Sequence, residues 1–126
     1  MTSKPIVCVI DDDALVRRTL CNQLETAGFQ AVEAANGIDG LNLVRQTNPP
    51  VAVVDIIMPE REGISTIQEM KKVNPDTRIL AISGGGFGDA RRYLEFAQML
   101  GADDTLMKPF HVGEFIDRVT RLVARP

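Results

Sequence analysis

Four places along the chain put chemistry-capable side chains directly after an apolar run. Asp11-Asp12-Asp13 follows Ile6–Ile10, Asp55 follows Val51–Val54, Ser83 follows Ile79–Ile82, and Lys108 follows the short stretch from Asp104 to Met107. Were these residues to meet, the carboxylates would repel one another, and a cation would have to offset them. Oxygen ligands with negative charge suit Mg²⁺, which prefers octahedral coordination and keeps several waters. A lysine ammonium adds a second positive charge. Metal, lysine and hydroxyl together can hold a phosphoryl group, and a carboxylate can itself be the nucleophile that forms an aspartyl-phosphate. Read alone, Asp11 and Asp12 serve equally well as first-turn residues of a helix, where acidic side chains are favourable, and Asp13 reads as the N-cap.

The elements that would have to position these groups are legible as a pattern. Apolar, β-branched runs begin near residues 5, 30, 51, 78 and 104. The first, third and fourth are apolar almost throughout, as suits parallel strands covered on both faces. Helix-period stripes lie between and after them: Leu15, Val16, Leu20, Leu24 and Ala27; Gly40, Leu41 and Val44; Ile64, Ile67 and Met70; Tyr93, Leu94, Ala97 and Leu100; and Val112, Phe115, Ile116, Val119 and Leu122. Gly28 and Gly101 stand just past two stripes, a usual helix stop. Five strands alternating with five helices are the signature of a doubly wound α/β sheet, whose ligands bind outside the carboxyl ends of the strands. The chemistry-capable residues all fall at such ends.

Composition narrows the classes. With 126 residues, 44% apolar and 25% charged, the chain reads as one domain, and domains of that size bury roughly two-thirds of the unfolded surface. A net charge of −3 argues against direct nucleic-acid binding, which normally shows as a basic patch. No apolar run is long enough for a signal peptide or a membrane span. Cys8 and Cys21 with a single His cannot build a four-ligand zinc site. Both thiols read as reduced, in a cytoplasmic protein.

The sequence resembles the receiver domain of two-component response regulators, close to the single-domain chemotaxis type. The matching stretches are Val9–Asp13, Val53–Gly63, Ala81–Gly84 and Gly101–Phe110, four pieces in order at strand ends. The resemblance implies a flavodoxin-like (βα)5 fold with a five-stranded parallel sheet in the order 2-1-3-4-5, which would bring Asp11, Asp12, Asp55, Ser83 and Lys108 into one pocket. It implies Asp55 as phosphoacceptor, Asp12 as direct Mg²⁺ ligand, Asp11 as the acidic partner that reaches the metal mainly through water, and Ile57 as donor of a backbone carbonyl. Ser83 matches the hydroxyl that moves to the phosphoryl oxygens, Lys108 the lysine that pairs with them, and Lys108-Pro109 a bond that is cis in the family. The implied partners are a sensor histidine kinase or a histidine phosphotransfer protein and a downstream protein, with no nucleic acid or membrane, in a monomer or weak dimer. The switching surface would be the fourth helix, fifth strand and fifth helix. Only 18 residues follow Lys108, so residues 1–126 read as a single receiver with no output domain, unless the chain is cut from a longer one.

Other details sharpen or oppose this reading. The family usually has an aromatic residue where this chain has Thr105, so the switch would be read out differently, through the fourth helix and the glycine loop. Ile57 and Gly85 occupy the positions that flank hydrolytic attack, and neither can orient a water. Gly84-Gly85-Gly86-Phe87-Gly88 fits neither the dinucleotide fingerprint nor the Walker pattern and reads as a flexible loop. On the fourth helix Tyr93 reads as core and Phe96 and Met99 as a binding face, while His111 reads as an exposed residue starting the fifth helix. One rival is a haloacid-dehalogenase-type phosphatase, which needs a second Asp two residues after the nucleophile, where this chain has Ile57. The other is a receiver that binds partners without phosphorylation. The reading adopted is a phosphoacceptor signalling domain, not an enzyme.

Overall fold

The apolar runs form the five strands and the periodic stripes form the five helices. In the computed structural model, which describes residues 4–57, 62–84 and 90–125, the order is β1 (Ile6–Ile10), α1 (Ala14–Thr26), β2 (Gln30–Ala34), α2 (Gly37–Thr47), β3 (Val51–Asp55), α3 (Glu62–Val73), β4 (Arg78–Gly84), α4 (Ala90–Met99), β5 (Asp104–Lys108) and α5 (Val112–Ala124). All strands are parallel, in the order β2-β1-β3-β4-β5. This is the flavodoxin-like doubly wound sheet. Of the glycine loop, Gly84 ends β4, and residues 85–89, including Gly85, lie outside the described residues, as do residues 58–61.

Alternation along the strands divides the interior in two. Cys8, Ile10, Ala52, Val54, Ile79 and Ala81 face one layer, with Val44, Ile67 and Met70 from α2 and α3 and Leu94 and Ala97 from α4. Val7, Val9, Val51, Val53, Leu80 and Ile82 face the other, against Leu20 and Leu24 of α1 and Phe115 and Val119 of α5. The central strands are therefore apolar on both faces, because each face meets helices. Among the described residues no helix is long and apolar enough to cross a membrane. Cys8 and Cys21 are free thiols within these layers. Burial pushes Cys8 up to about 12 and Cys21 up to about 11, so both stay protonated and poorly nucleophilic.

The helix ends follow local chemistry. Asp13 caps α1, its Oδ1 accepting from the N–H groups of Leu15 and Val16 at 3.0 and 3.2 Å. Gly28 and Gly101 take φ of +98° and +127° after α1 and α4, a conformation that side chains with a Cβ resist. Gly63 serves a different purpose. A Cβ there would collide with the Asp55 carbonyl oxygen and with Ile56 Cα, so the start of α3 rests directly on the end of β3.

Three sequence expectations need correction. Leu15 is 78% exposed, because five helical residues carry it about 140° around α1 from Leu20. Tyr93 is 45% exposed, at the margin of the α4 stripe rather than in the core, and Val112 is 51% exposed at the first residue of α5. Phe96 and Met99 are exposed as expected. His111 is exposed and occupies the N-cap of α5, making no side-chain capping bond.

Candidate functional site

The carboxyl ends of β1, β3, β4 and β5 lie side by side, and each delivers one of the expected groups. Asp11 follows directly on β1 and is fully buried; its N–H donates to the Ala34 carbonyl at 3.2 Å. Asp55 ends β3, opposite Ile82 of β4. Ser83 is the next residue of β4, opposite Met107 of β5, and Lys108 ends β5 opposite Gly84. A Cβ at Gly84 would stand 3.1 Å from Lys108 Cδ, so the missing side chain leaves room for the lysine stem. The Lys108-Pro109 bond is cis.

These groups meet. Lys108 Nζ lies 3.4 Å from Asp11 Oδ2 and 3.4 Å from Asp55 Oδ2. At that distance the ammonium is shared between the two carboxylates and not closely hydrogen-bonded to either. The other oxygen of each carboxylate is held by backbone: Asp13 N–H donates to Asp11 Oδ1, and Ile57 N–H donates to Asp55 Oδ1, both at 2.9 Å. Asp12 is exposed, yet its carboxylate comes within the same cluster, where one oxygen each from Asp11, Asp12 and Asp55 lies within 4.8 Å of the others. Three carboxylates against one ammonium leave a formal charge of −2.

Burial dominates the acidity of Asp55 and pushes it up to about 6; the Ile57 N–H and the Lys108 ammonium oppose that rise, and the Asp11 charge adds to it. A carboxylate with so raised a pKa at a strand end is a functional-site signature. Ser83 supplies a second one. Its Oγ is buried and has no hydrogen-bond partner among the described residues. Buried hydroxyls are normally paired, so an acceptor fits at this point.

The donor set fits a small hard cation. It consists of oxygen atoms, two of its three carboxylates are buried, and the third faces solvent, where coordinated water has access. Mg²⁺ at this place would cancel the formal −2. Ile57 follows Asp55 at the mouth of the pocket with its side chain 44% exposed.

Sequence reasoning missed two supports of the site. Arg17, on α1, donates through Nη1 to the Asp11 carbonyl at 2.8 Å and through Nε to Glu33 Oε1 of β2 at 2.8 Å. It clamps the backbone that carries the acidic pair. Glu33 is held below the usual carboxylate range, chiefly by its hydrogen bond from Arg17. A signal for Arg17 did exist: helical side chains lean toward the N-terminus, so an arginine one turn after Asp13 points back at the strand end. Gly63 is the second missed support, and residue type alone does not single it out.

Known proteins resemble this chain throughout its length. A family model described as response regulator receiver domain matches residues 7–120. The probable transcriptional regulator ycf27 of Guillardia theta is 34% identical over 125 residues, covering 99% of this chain and 48% of that protein. The transcriptional regulatory protein PrrA of Mycobacterium leprae is 35% identical over 124 residues, covering 98% of this chain and 52% of that protein. The chain thus spans about half the length of the curated relatives it matches. The solved receiver domain of the Francisella response regulator 1452 is 32% identical, with a TM-score of 0.83 over 95% of this chain and 97% of that one.

Proposed function

The chain belongs to the response regulator receiver domain family, and on that premise we propose that it accepts a phosphoryl group on Asp55 and thereby changes its affinity for a partner protein. Receiver domains are signalling domains, and Asp55 is read here as the acceptor, with Ser83 and Lys108 as the groups that hold the phosphoryl oxygens. The observation that carries this reading is the orphan Ser83 hydroxyl, one residue past the register partner of Asp55 and on the strand beside the shared Lys108.

The donor is the phosphohistidine of a sensor histidine kinase or of a histidine phosphotransfer protein. An Asp55 carboxylate oxygen forms the new bond to phosphorus as the phosphorus–nitrogen bond to the imidazole breaks, and the imidazole leaves with the electron pair. The Ile57 N–H fixes the Asp55 carboxylate through its other oxygen. Lys108 then turns from two carboxylates toward phosphoryl oxygens, and Ser83 donates the hydrogen bond that it otherwise lacks. Asp11, Asp12 and Asp55, with the Ile57 carbonyl, would hold Mg²⁺, which when bound offsets the negative charge that gathers on the transferring group. Movement of Ser83 and Lys108 bears on β4 and β5, and through them on the surface of α4, β5 and α5, where Met99 and Met107 are exposed. With Thr105 in place of an aromatic residue, the readout runs through α4 and the loop before it.

The test is treatment with acetyl phosphate, or with beryllofluoride as its stable mimic, in the presence of Mg²⁺. A single adduct that vanishes in Asp55→Asn supports the proposal. Turnover of phosphate esters would instead make the chain a phosphatase, and the lack of any adduct would make it a receiver that works without phosphorylation.

Ile57 gives a separate prediction. Its apolar side chain cannot orient a water for attack on the aspartyl-phosphate. Ile57→Asn, which can, should change the lifetime of the phosphorylated protein several-fold, below the roughly 10²–10⁴ that a positioned proton-transfer group supplies. Equal decay rates for the two proteins, followed by loss of radiolabel, would show that this position has no part in hydrolysis.

A further inference from the structure

The two acidic residues that follow β1 are held in different ways. Asp11 is tied at three points: its N–H donates to the Ala34 carbonyl, its Oδ1 accepts from Asp13 N–H, and its Oδ2 faces Lys108. Asp12 is exposed, and among the described residues nothing donates to its carboxylate. Its direction therefore depends on the backbone that carries it. The Asp11 carbonyl and the Asp12 N–H are the two ends of one planar peptide unit. Rotation of that plane about its flanking bonds would swing Asp12 away from Asp11 and Asp55, whose oxygens now lie within 4.8 Å of its own.

Arg17 holds that plane. Its Nη1 donates to the Asp11 carbonyl at 2.8 Å, and its Nε donates to Glu33 Oε1, also at 2.8 Å. The guanidinium is a rigid fork, so the Glu33 bond sets the angle at which Nη1 meets the peptide. Glu33 is itself placed by β2, where it lies opposite Val9 of β1. On grounds of charge the place is a poor one for a cation. The Arg17 N–H closes the first turn of α1 on the Asp13 carbonyl, and the partial positive charge of a helix N-terminus disfavours cations there. A guanidinium beside the acidic cluster would also oppose a second cation. Glu33 offsets the charge, and what remains is the geometry.

We propose that Arg17, seated on Glu33, is a positioning residue for Mg²⁺. It sets the peptide plane between Asp11 and Asp12 so that both carboxylates can reach one ion. This rests on the reading of Asp11, Asp12 and Asp55 as the metal ligands. Outer partners that orient metal ligands are typically worth about 10–100-fold in affinity. The arrangement also ties the site to β2, an edge strand that contributes no ligand of its own. Charge and orientation predict opposite signs for the loss of Arg17. Removing a cation should tighten Mg²⁺ binding, whereas releasing the peptide plane should weaken it.

The test uses the full chain, labelled with ¹⁵N, stripped of metal by a chelator and titrated with MgCl₂ while amide shifts are followed. Arg17→Met should weaken Mg²⁺ binding about tenfold or more. Arg17→Lys keeps the charge but loses the planar fork, and it should weaken binding in the same direction. Before any Mg²⁺ is added, the Asp12 amide resonance should already have moved in both variants. Lys71→Met is the control for lost stability. It breaks a similarly half-buried ion pair, Lys71 Nζ to Asp103 Oδ2 at 2.7 Å, at the opposite end of the sheet. It should lower the thermal midpoint yet leave the Asp12 resonance in place and the Mg²⁺ affinity within about twofold, as distant sites act independently. Tighter binding in Arg17→Met, unchanged affinity in both Arg17 variants, or an equal loss in Lys71→Met would overturn the proposal and leave the metal reading standing. A parent chain that binds no Mg²⁺ would overturn both.

Discussion

In a chelating buffer at neutral pH, Asp55→Asn should be more stable than the parent chain by about 2–3 kcal/mol, and the gap should close as pH falls toward 3.8. Burial raises the Asp55 carboxyl from 3.8 to about 6, and each pH unit of such a difference is worth about 1.4 kcal/mol. Because the folded-state value lies above the unfolded one, the folded protein binds the proton more tightly. The contribution of Asp55 to stability is therefore fully present below 3.8 and is lost as pH rises through about 6. Asparagine is a neutral substitute for the protonated acid and removes that dependence. Glu33 is shifted the other way: its contribution is present above its ordinary value of 4.5 and is lost as pH falls through its lowered one, and it cancels when the two proteins are compared. Urea unfolding across this pH window measures the effect. Mg²⁺ should narrow the gap from the parent's side, since an ion that binds only the folded protein stabilises it by mass action. A difference that stayed constant with pH, or an asparagine variant less stable at neutral pH, would show that burial is not what governs Asp55.

The second large effect belongs to Gly63. In Gly63→Ala the new methyl group would meet the backbone of Asp55 and Ile56, and backbone cannot turn aside as a flexible side chain can. Overpacking of this kind typically costs about 1–3 kcal/mol. The start of α3 and the end of β3 would have to separate, and the end of β3 is Asp55. The expected outcome is therefore joint: a lower urea midpoint and a weaker beryllofluoride adduct. Gly113→Ala is the matching control, because a Cβ there meets nothing within 4 Å and its backbone is ordinary helix. It should be neutral or stabilising by up to about 1 kcal/mol. If Gly63→Ala behaved like Gly113→Ala, the close approach would be relieved cheaply and the joint effect would be absent.

The contrast between those two glycines shows what sequence can and cannot carry. The strands were legible because apolar residues on both faces leave a continuous run, and the site was legible because Asp11, Asp55, Ser83 and Lys108 each end such a run. The order of the sheet came from family resemblance, since alternation of strands and helices does not fix it. Helical periodicity placed Leu20, Leu24, Phe115 and Val119 in the core, yet it also claimed Leu15, Tyr93 and Val112. A stripe has edges and a helix has ends that overhang the sheet, and neither is written in residue type. Arg17 escaped notice for a related reason: an arginine after an acidic run looks like surface until the strand-to-helix turn shows where its guanidinium reaches. Gly63 was invisible because its importance lies in a contact between backbones, which leaves no trace in composition.

Lys108 and its two carboxylate partners stand 97 and 53 residues apart in the chain. Closing contacts over such distances carries an entropic cost before any reward, and folds rich in non-local pairing form more slowly. The pocket is therefore complete only when β5 has joined the sheet. A nascent chain that has emerged only as far as β3 already carries Asp11, Asp12 and Asp55, but it has no lysine to balance them and no fourth or fifth strand to set them in place. A truncated or half-folded copy would lack both the lysine and the buried hydroxyl of β4, and so the balanced pocket as a whole.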